Sequence, residues 1–526
     1  MVQLVIPMNG LGKRFAIERY QDPKPLIEVW AGKRIISYVL DCFPGVTDVV
    51  FLCNPVHLQL SAMERILHEL CPTGQIVPVE YTGKGPVDTL LKGADAISDT
   101  EEVIVSYCDY GMDWDFSGFL KSMRQQGATG GIACYRGFHP HHLGPDCYGY
   151  VKTTDDDMLL DIREKRPFTT DKMSEWASSG AYYFSSGKVL KDAMMMTVGI
   201  EPTIKGEHYV SMVFPHLPGK TLVYEIERML QFGTPQDLRD YQMWADIFSR
   251  PTQSCPSAPG ITVLPMAGRG SRFSMVGYTT PKPFLPIEDQ PMVCAALGCL
   301  PKTEDYRLVA LRENPDPAPY VPGAEVVYLD EVTDGQATSV MSALSDVPDD
   351  VALTVSACDN GALYSAGKLS VLLDDPTVDV IVWAFRGDTH PTSRHNPNAY
   401  AWLDVDEESR LRGVSVKKLF TDRPNRYCII GTMFFRRTGD YKRAYAQAKA
   451  RGIKTNGEYY VDNLLVPLLD EGARIVVFPV DHYLCWGTPN DYETFTYWEG
   501  HFKHADSSAP CEYVDCPEGG PLPPRD

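Results

Sequence analysis

The sequence predicts an α/β protein with two tandem domains, each a mostly parallel mixed sheet with helices on both faces. The chain has 526 residues, which exceeds one ordinary core and suits two domains of about 250 residues. Apolar strand segments alternate with helical segments, a pattern typical of parallel sheets covered on both sides. The motifs of the first half also return in the same order in the second half.

The elements of the first half follow this alternation. Four strands are predicted, at 2–8, 48–53, 76–79 and 103–108. Three helices are predicted, near 33–42, 57–70 and 87–97. A glycine turn follows the first strand, and Asp109 follows the last. Because ligands of such sheets bind at the carboxyl ends of strands, we expect the turn and Asp109 to share a site.

The repeat is long and ordered. Gly268, Arg272 and Lys282 each lie 258 residues after Gly10, Arg14 and Lys24. Further matches are Ser-x-Cys-Asp ending at Asp109 and Asp359, Gly-Glu-x-Tyr-Val from Gly206 and Gly457, and Gly-Thr-Pro-x-Asp from Gly233 and Gly487. Such a repeat predicts duplicated domains and not a solenoid. We therefore divide the chain into an N-terminal domain (1–250), a Pro/Ser-rich linker (251–260), a C-terminal domain (261–505) and a Pro-rich, loosely ordered tail (506–526).

Composition limits the partners. A formal net charge of −20 repels nucleic acid and anionic lipid, so phosphate binding must depend on local positive groups. The sequence has no apolar run of about 18 residues, so no membrane span is expected. We also find no secretory leader, and the scattered cysteines favour a reducing, cytoplasmic setting. The oligomeric state stays open.

The residues around the glycine turn suit a polyphosphate. Gly10 and Gly12 allow close backbone approach and positive φ. The turn lacks the third glycine of the dinucleotide fingerprint and the Gly-Lys-Ser/Thr of a P-loop. It is followed instead by Arg14 and by Lys24 between two prolines. Asp109, placed after a buried strand, is expected to be hydrogen-bonded or to hold a cation; a turn or helix-capping role is the alternative.

Gly-x-Gly-x-Arg-Phe followed by Pro-Lys-Pro resembles the sugar-phosphate nucleotidyltransferases, or nucleotide-sugar pyrophosphorylases. The resemblance covers nearly the whole chain, once in each half. The Gly-Glu-x-Tyr-Val and Gly-Thr-Pro-x-Asp segments look most like the branch found in capsule and surface-polysaccharide gene sets. The resemblance implies Rossmann-like (GT-A-like) domains that join a nucleoside triphosphate to a phosphorylated acceptor and release pyrophosphate.

The resemblance also implies a role for each matching residue. The catalytic residues would be Arg14, Lys24, Arg272 and Lys282. The nucleotide-binding residues would be Gly10, Gly12, Gly85, Gly268, Gly270 and Gly335. The acceptor-binding residues would be Glu164, Lys165, Lys417, Gly180, Gly431, Glu207 and Glu458. Asp109 and Asp359 would hold Mg²⁺, the expected cofactor.

Each half departs from the family pattern. Phe232 and Trp486 stand where the family often has a second metal-binding aspartate, which leaves Glu207, Glu458 and Asp462 as candidates. Val416 replaces the glutamate found at Glu164, so the two halves are expected to handle acceptors differently.

Several alternatives stay open. Both halves can be active, or one can be degenerate and regulatory. The acceptor can be a sugar 1-phosphate, or a non-sugar phosphate or phosphonate as in related cytidylyltransferases. A different class is a nucleotide sensor without catalysis. The histidines of 139–142 are expected in a loop at the acceptor pocket and not in a metal cluster.

Overall fold

A computed structural model describes residues 2–388 and 390–505. The chain divides into two compact units, Met1–Asp246 and Ile247–Asp526, and the predicted linker 251–260 lies near the start of the second. Within the described ranges, no helix is long and apolar enough to cross a membrane. The predicted loosely ordered tail (506–526) lies outside the described residues.

The first half alternates strands and helices along most of its length. Its strands are β1 Val2–Met8, β2 Glu28–Trp30, β3 Lys33–Arg34, β4 Asp48–Cys53, β5 Gln75–Pro78, β6 Glu102–Ser106, β7 Tyr110–Asp113, β8 Gly130–Tyr135, β9 Gly149–Thr153, β10 Leu159–Glu164, β11 Trp176–Phe184, β12 Thr221–Glu225 and β13 Arg228–Gln231. Its helices are α1 Lys13–Ile17, α2 Ile35–Asp41, α3 Pro55–Leu60, α4 Met63–Leu70, α5 Pro86–Lys92, α6 Phe116–Gln125, α7 Gly187–Ile200 and α8 Pro235–Ser249.

The main sheet of the first unit has nine strands, with β10-β9-β11-β6-β1-β4-β5 in order and β8 linking β11 to β12. Strands β6, β1, β4 and β5 are parallel, whereas β11 pairs antiparallel with β6. Leu4, Ile6 and Met8 of β1 pack into one core cluster and Val5 into another. Because successive side chains point to opposite faces, this strand needs apolar residues at every position.

The second half repeats these elements. Its strands are β14 Ile261–Pro265, β15 Pro286–Ile287, β16 Gln290–Pro291, β17 Asp305–Leu311, β18 Glu325–Leu329, β19 Leu353–Val355, β20 Asn360–Leu363, β21 Val380–Arg386, β22 Ala401–Val405, β23 Leu411–Val416, β24 Tyr427–Phe435, β25 Ile475–Pro479 and β26 His482–Cys485. Its helices are α9 Ser271–Met275, α10 Met292–Gly298, α11 Gln336–Ser342, α12 Ala366–Asp374, α13 Pro391–His395, α14 Thr438–Arg451, α15 Leu465–Asp470 and α16 Pro489–Ala505.

The second sheet has the strand order β18-β17-β14-β19-β24-β21-β25, with β22 joining β24 to β23. This order matches β5-β4-β1-β6-β11-β8-β12 of the first sheet strand for strand. The predicted fold class, two tandem Rossmann-like domains with mostly parallel mixed sheets, is therefore confirmed.

Local differences from the predicted elements have local causes. The helix predicted near 57–70 is two helices, because the Ser61 hydroxyl bonds the His57 carbonyl and accepts from the Met63 N–H, in competition with the helical pattern. The helix predicted over 87–97 ends at Lys92, before Gly93, and a 3₁₀ turn covers Ala94–Ala96.

Candidate active site

The glycine turn after β1 leads into α1, and its last glycine has a demanding conformation. Gly12 caps α1 with φ 59°, and Gly270 caps α9 with φ 60°. A Cβ on Gly12 would lie 3.4 Å from the Lys24 Cβ, and one on Gly270 would lie 3.3 Å from the Lys282 Cβ. These glycines therefore let the turn close over the lysine.

Positive φ was expected for Gly10 and Gly12, and this expectation is wrong for Gly10. Gly268 is the counterpart of Gly10 in the second half. Neither has positive φ, and an added Cβ would meet no atom within 4 Å at either position. The fold therefore does not require glycine there. Their predicted contact with a nucleotide stays a prediction.

Each predicted catalytic lysine begins a 3₁₀ turn, Lys24–Leu26 or Lys282–Phe284. The residues after it are buried and anchor the turn in the core. The Lys24 ammonium forms an ion pair with Asp109, and the Lys282 Nζ lies 2.6 Å from the Asp359 carboxylate. Both halves thus place the same two predicted site residues in direct contact.

The aspartates are held by a backbone contact that also recurs. The Phe232 N–H donates to the Asp109 carbonyl at 2.9 Å, and the Trp486 N–H donates to the Asp359 carbonyl at 3.0 Å. Burial alone would raise the pKa of Asp359, but the charges of Lys282 and Arg272 and the Lys282 hydrogen bond hold it below its ordinary value. Asp359 is therefore a carboxylate at neutral pH.

The predicted catalytic arginines lie in the first turn of α1 and α9 with exposed side chains. The charge of Arg272 reaches the Lys282–Asp359 pair, because it helps to lower the pKa of Asp359 and opposes the rise in the pKa of Lys282. In the first half, burial raises the pKa of Tyr209, and the charge of Arg14 opposes this shift. The second half therefore groups Arg272, Lys282 and Asp359, and the first half places Arg14 near Tyr209.

Lys165 and Lys417 lie directly after β10 and β23, in an unusual conformation. Their φ values are 57° and 54°, in the left-handed region that costs a non-glycine residue about 1 kcal/mol or more. The N–H of Lys165 donates to the Tyr148 carbonyl at 2.7 Å, and that of Lys417 to the Tyr400 carbonyl at 2.9 Å. The same strained backbone position therefore recurs in both halves.

Tyr209 and Tyr460 link these lysines to the predicted glutamates. The Lys165 Nζ donates to the Tyr209 oxygen at 2.5 Å, and the Tyr209 hydroxyl donates to Glu207. In the second half the Lys417 Nζ lies 4.7 Å from the Tyr460 ring centroid, and Glu458 bonds the Tyr460 hydroxyl. Sequence reasoning did not assign these tyrosines, although they recur in the Gly-Glu-x-Tyr-Val motif.

The Glu164 carboxylate accepts a hydrogen bond from Ser211 at 2.6 Å. Burial raises its pKa above the ordinary value, against the opposing effects of Ser211 and Lys165. In the second half Asp462 stands at the position of Ser211, and burial raises the pKa of Asp462 to about 6 although Lys417 opposes this shift. The second half therefore has no glutamate at Val416, but it has an acidic residue, Asp462, on a neighbouring element.

The remaining predicted glycines have packing reasons. Gly85 has φ 95° and Gly335 has φ 139°. An added Cβ would lie 2.6 Å from the His208 carbonyl oxygen or 2.4 Å from the Tyr459 nitrogen. The starts of α5 and α11 therefore pack directly on the Gly-Glu-x-Tyr-Val segment. Gly180 and Gly431, with φ 97° and 93°, lie within β11 and β24, and the ligand contacts of all four stay predictions.

Asp109 and Asp359 are the predicted ligands of a magnesium ion. Phe232 and Trp486, at the position of the family's second aspartate, are buried. In the ranges 2–388 and 390–505, no group of three or more His, Cys, Asp or Glu is arranged to hold a metal. Mg²⁺ commonly binds through one or two carboxylates and completes its shell with substrate phosphates and water. A single aspartate in each half is compatible with that mode of binding, and the role of Asp109 and Asp359 stays a prediction.

Two further acids lie close to these aspartates and were not predicted as site residues. Asp237 accepts from the N–H and the hydroxyl of Thr234, both at 2.7 Å, and so caps α8. Burial raises the pKa of Asp237, and the nearby charge of Asp109 adds to this shift. Asp491 repeats this arrangement beside Asp359. The Gly-Thr-Pro-x-Asp motif is therefore at least a helix cap.

The candidate second metal ligands lie on the acceptor side. Glu207 and Glu164 both act on the pKa of Lys165. Glu458 bonds Tyr460, and Asp462 interacts with Lys417. All three candidates are thus associated with an acceptor lysine or its tyrosine.

The histidines of 139–142 form an aromatic cluster. The Tyr135 hydroxyl lies 2.8 Å from His141 Nε2, and the ring centroids of His142 and Tyr148 are 5.3 Å apart. Burial lowers the pKa of His142 to about 4. The rings are therefore neutral and pack together at neutral pH.

In both halves, a glycine turn and a lysine–aspartate pair lie at the carboxyl ends of parallel strands, where α/β proteins commonly bind phosphate groups. Residues 5–244 match the family model of the nucleotidyl transferases. Residues 262–419 match the model of the MobA-like NTP transferase domain. The chain therefore carries two nucleotidyl transferase domains in tandem, one matched by each model.

Solved structures with similar folds match about half of this chain. A nucleoside-diphosphate-sugar pyrophosphorylase from Vibrio cholerae RC9 is 18% identical, covers 45% of this chain and 99% of its own, and has a TM-score of 0.37. A putative glucose-1-phosphate thymidylyltransferase from Bacillus anthracis is 16% identical, covers 46% of this chain and 94% of its own, and has a TM-score of 0.37. The inositol-1-phosphate CTP transferase from T. maritima is 16% identical, covers 49% of this chain and 100% of its own, and has a TM-score of 0.36. Comparison with curated proteins found no match.

Proposed function

We propose that each half of this nucleotidyltransferase binds a nucleoside triphosphate and joins it to a phosphorylated acceptor, with release of pyrophosphate. The observation that supports this most strongly is the recurring lysine–aspartate pair beneath the glycine turn, Lys24 with Asp109 and Lys282 with Asp359. Both halves keep the same charged contact. A purely structural ion pair has no need of a glycine turn closed over it.

The nucleotide would lie on the turn with its phosphates toward the two cations. The arginine fork can bond two phosphate oxygens. The lysine ammonium would move from the aspartate to the α-phosphate and neutralise the charge that develops there. Since a phosphate oxygen of the acceptor attacks the α-phosphorus in line, positioning and charge neutralisation supply most of the catalysis.

Asp109 and Asp359 would each hold the Mg²⁺ ion. When bound there, the ion would supply positive charge that neutralises the phosphates of the nucleotide. The aspartates themselves serve to place that charge opposite the lysine. With one carboxylate in each half, the affinity for the ion would depend on the nucleotide.

The acceptor would bind on the other side of the site. Lys165 and Lys417 would contact its phosphate, and each ammonium lies beside a tyrosine, Tyr209 or Tyr460. Glu164 and Glu207 would accept hydrogen bonds from its hydroxyl groups. A carboxylate next to a lysine suits a sugar 1-phosphate, which is our proposed acceptor for the first half. We also propose that the protein acts in surface-polysaccharide synthesis and that it is located in the cytoplasm.

A non-sugar phosphate or phosphonate as acceptor, with one half degenerate, is the second candidate. The replacement of Glu164 by Val416 in the second half favours it there. The pyrophosphate-release screen that tests the acceptor also identifies the nucleotide base.

The test is a pyrophosphate-release screen of the common nucleoside triphosphates against phosphorylated acceptors, with Mg²⁺ present. We expect the wild-type chain to release pyrophosphate only when nucleotide and acceptor are both present. Asp109→Asn should remove the activity of the first half and Asp359→Asn that of the second, each by about 10²-fold or more. The double variant should be inactive.

The matched controls are Asp156→Asn and Asp350→Asn, which change exposed aspartates in the two halves and should leave turnover unchanged. Full activity in the double variant Asp109→Asn/Asp359→Asn would rule out the proposed role of the aspartates. Nucleotide binding without pyrophosphate release in the wild type would instead favour a sensor.

A further inference from the structure

The Glu164 carboxylate depends on two neighbours. Gly149 is paired with Glu164 across β9 and β10, and a Cβ on Gly149 would lie 3.2 Å from the Glu164 Oε2. Ser211, from the 3₁₀ turn Val210–His216, donates to the same oxygen. The missing side chain at 149 therefore leaves room for the carboxylate, and the serine fixes it.

The second half changes all three positions together. Ala401 is paired with Val416 across β22 and β23, at the positions of Gly149 and Glu164. Asp462 lies two residues after Tyr460, as Ser211 lies two residues after Tyr209. The extra methyl group fills the space that Glu164 uses in the first half. The carboxylate now comes from the 3₁₀ turn Val461–Leu464 instead of the strand.

Asp462 lies in the 3₁₀ turn Val461–Leu464 at the position of Ser211, and its residue is partly accessible to solvent. In the first half the Ser211 hydroxyl donates to the Glu164 carboxylate, so the side chain at this position is directed toward the strand residue that precedes the acceptor lysine. The interaction with Lys417 places it beside the ammonium predicted to contact the acceptor phosphate.

We propose that Asp462 is the acceptor-positioning carboxylate of the second half, and that this half accepts a phosphate ester with fewer hydroxyl groups than the acceptor of the first half. The inference rests on the proposed function and adds the acceptor class of the second site. Ala401 and Val416 form an apolar wall where the first half has a hydrogen-bond acceptor. A hydroxyl group facing that wall would lose its partner, which costs about 1–3 kcal/mol.

The retained acid has a second consequence. A carboxylate still lies near the acceptor lysine in each half, Glu164 near Lys165 and Asp462 near Lys417. On the proposed function, we therefore expect the second half to be catalytic.

The test uses the full chain with one half silenced. Asp109→Asn leaves the second half to report, and Asp359→Asn leaves the first. Glucose 1-phosphate and glycerol 3-phosphate serve as hydroxyl-rich and hydroxyl-poor probes. The ratio of kcat/KM for glycerol 3-phosphate to that for glucose 1-phosphate should be at least tenfold higher in the second half than in the first.

Asp462→Asn in the Asp109→Asn background should raise the KM for glycerol 3-phosphate about tenfold and leave the KM for the nucleotide within twofold. Asp462→Glu should recover part of the loss. The control Asp470→Asn removes an exposed carboxylate of α15 and should change neither constant. Ala401→Gly/Val416→Glu/Asp462→Ser should shift the preference toward glucose 1-phosphate, and thermal melting checks that each variant is folded.

Equal changes in nucleotide and acceptor KM, or none, for Asp462→Asn would overturn the assignment. So would a second half that uses neither probe, or one with the same preference as the first half. A wild-type chain that releases no pyrophosphate with any nucleotide and acceptor would instead refute the proposed function itself. The two failures are distinguished because only the second is seen before any substitution is made.

Discussion

Two glycines and two lysines with left-handed backbone, one of each in each half, lie in the candidate site. Gly12 and Gly270 close the glycine turn over Lys24 and Lys282, and Lys165 and Lys417 follow strands β10 and β23. Glycine adopts this conformation freely, whereas lysine does not. Because proteins store such strain at functional sites, we propose that Lys165 and Lys417 are held there for a ligand.

Substituting Gly12 tests this reading at a single residue. Gly12→Ala should lower the free energy of unfolding by about 1–2 kcal/mol and raise the KM for the nucleotide, because alanine disfavours the left-handed conformation that closes the turn over Lys24. Gly10→Ala is the matched control for stability, since its Cβ meets open space; its free energy of unfolding should change by less than about 0.5 kcal/mol. Urea unfolding measures both. Equal destabilisation by the two variants would contradict the account.

Other site residues were predictable from sequence in identity but not in arrangement. The repeated motifs identified Lys24 and Asp109, and both occur where the strand pattern places them. The sequence did not reveal that they bond each other, because 85 residues separate them and a pattern contains no distances. Tyr209 and Asp462 were missed as acceptor-side residues for the same reason: their roles depend on which strand end lies opposite them.

At the scale of elements, short segments hold the site in place. The two-stranded ribbons β7–β13 and β20–β26 adjoin the hydrogen bonds that the Phe232 and Trp486 N–H groups donate to the Asp109 and Asp359 carbonyls. Helix α13 is fixed to β26 through His390, whose Nε2 donates to the Tyr483 carbonyl at 3.1 Å while its Nδ1 accepts from the Thr392 N–H at 3.3 Å. This bonding requires the neutral imidazole protonated on Nε2.

His390 predicts a pH dependence of stability. Burial lowers its pKa to about 4, although the bond to the Tyr483 carbonyl opposes this shift. Because the unfolded chain takes up this proton near pH 6.5 and the folded chain does not, the stabilising contribution is complete above pH 6.5 and is lost as pH falls toward 4. Between pH 7.5 and 5.0 the loss should be about 2 kcal/mol.

The control is His390→Asn, whose amide oxygen can still cap α13 but does not titrate. Urea unfolding at the two pH values should show a difference that is smaller in the variant by about 2 kcal/mol. An identical pH dependence in both proteins would show that His390 is not the group responsible. The comparison isolates one histidine, since the others titrate alike in both proteins.

Element boundaries show where sequence reasoning ends. The alternation of strands and helices in the first half was predictable, and so was the strand 48–53, because buried parallel strands are continuously apolar. The break at Ser61 and the end of α5 before Gly93 were not, because each depends on one side chain or one glycine. The antiparallel strands β9 to β11 carry the acceptor lysine, but no periodic pattern identified them in advance.

At the scale of the whole molecule, the chain carries one α/β unit twice. The predicted nucleotide-binding residues, a glycine, an arginine, a lysine and an aspartate, occur in both halves. The predicted acceptor-binding residues keep the lysine and the tyrosine, but the carboxylate lies on a different element. We therefore expect the two halves to differ most in the acceptor.

The central claim, that each half holds a triphosphate between the glycine turn, an arginine and a lysine, is tested most directly by counting nucleotide sites. Titration calorimetry with the nucleotide chosen by the screen, in Mg²⁺ and without acceptor, should give two molecules bound per wild-type chain. Arg14→Met/Lys24→Met and Arg272→Met/Lys282→Met should each bind one, and the combined variant none. A wild-type chain that binds fewer than two, or a double variant that still binds two, would contradict the account.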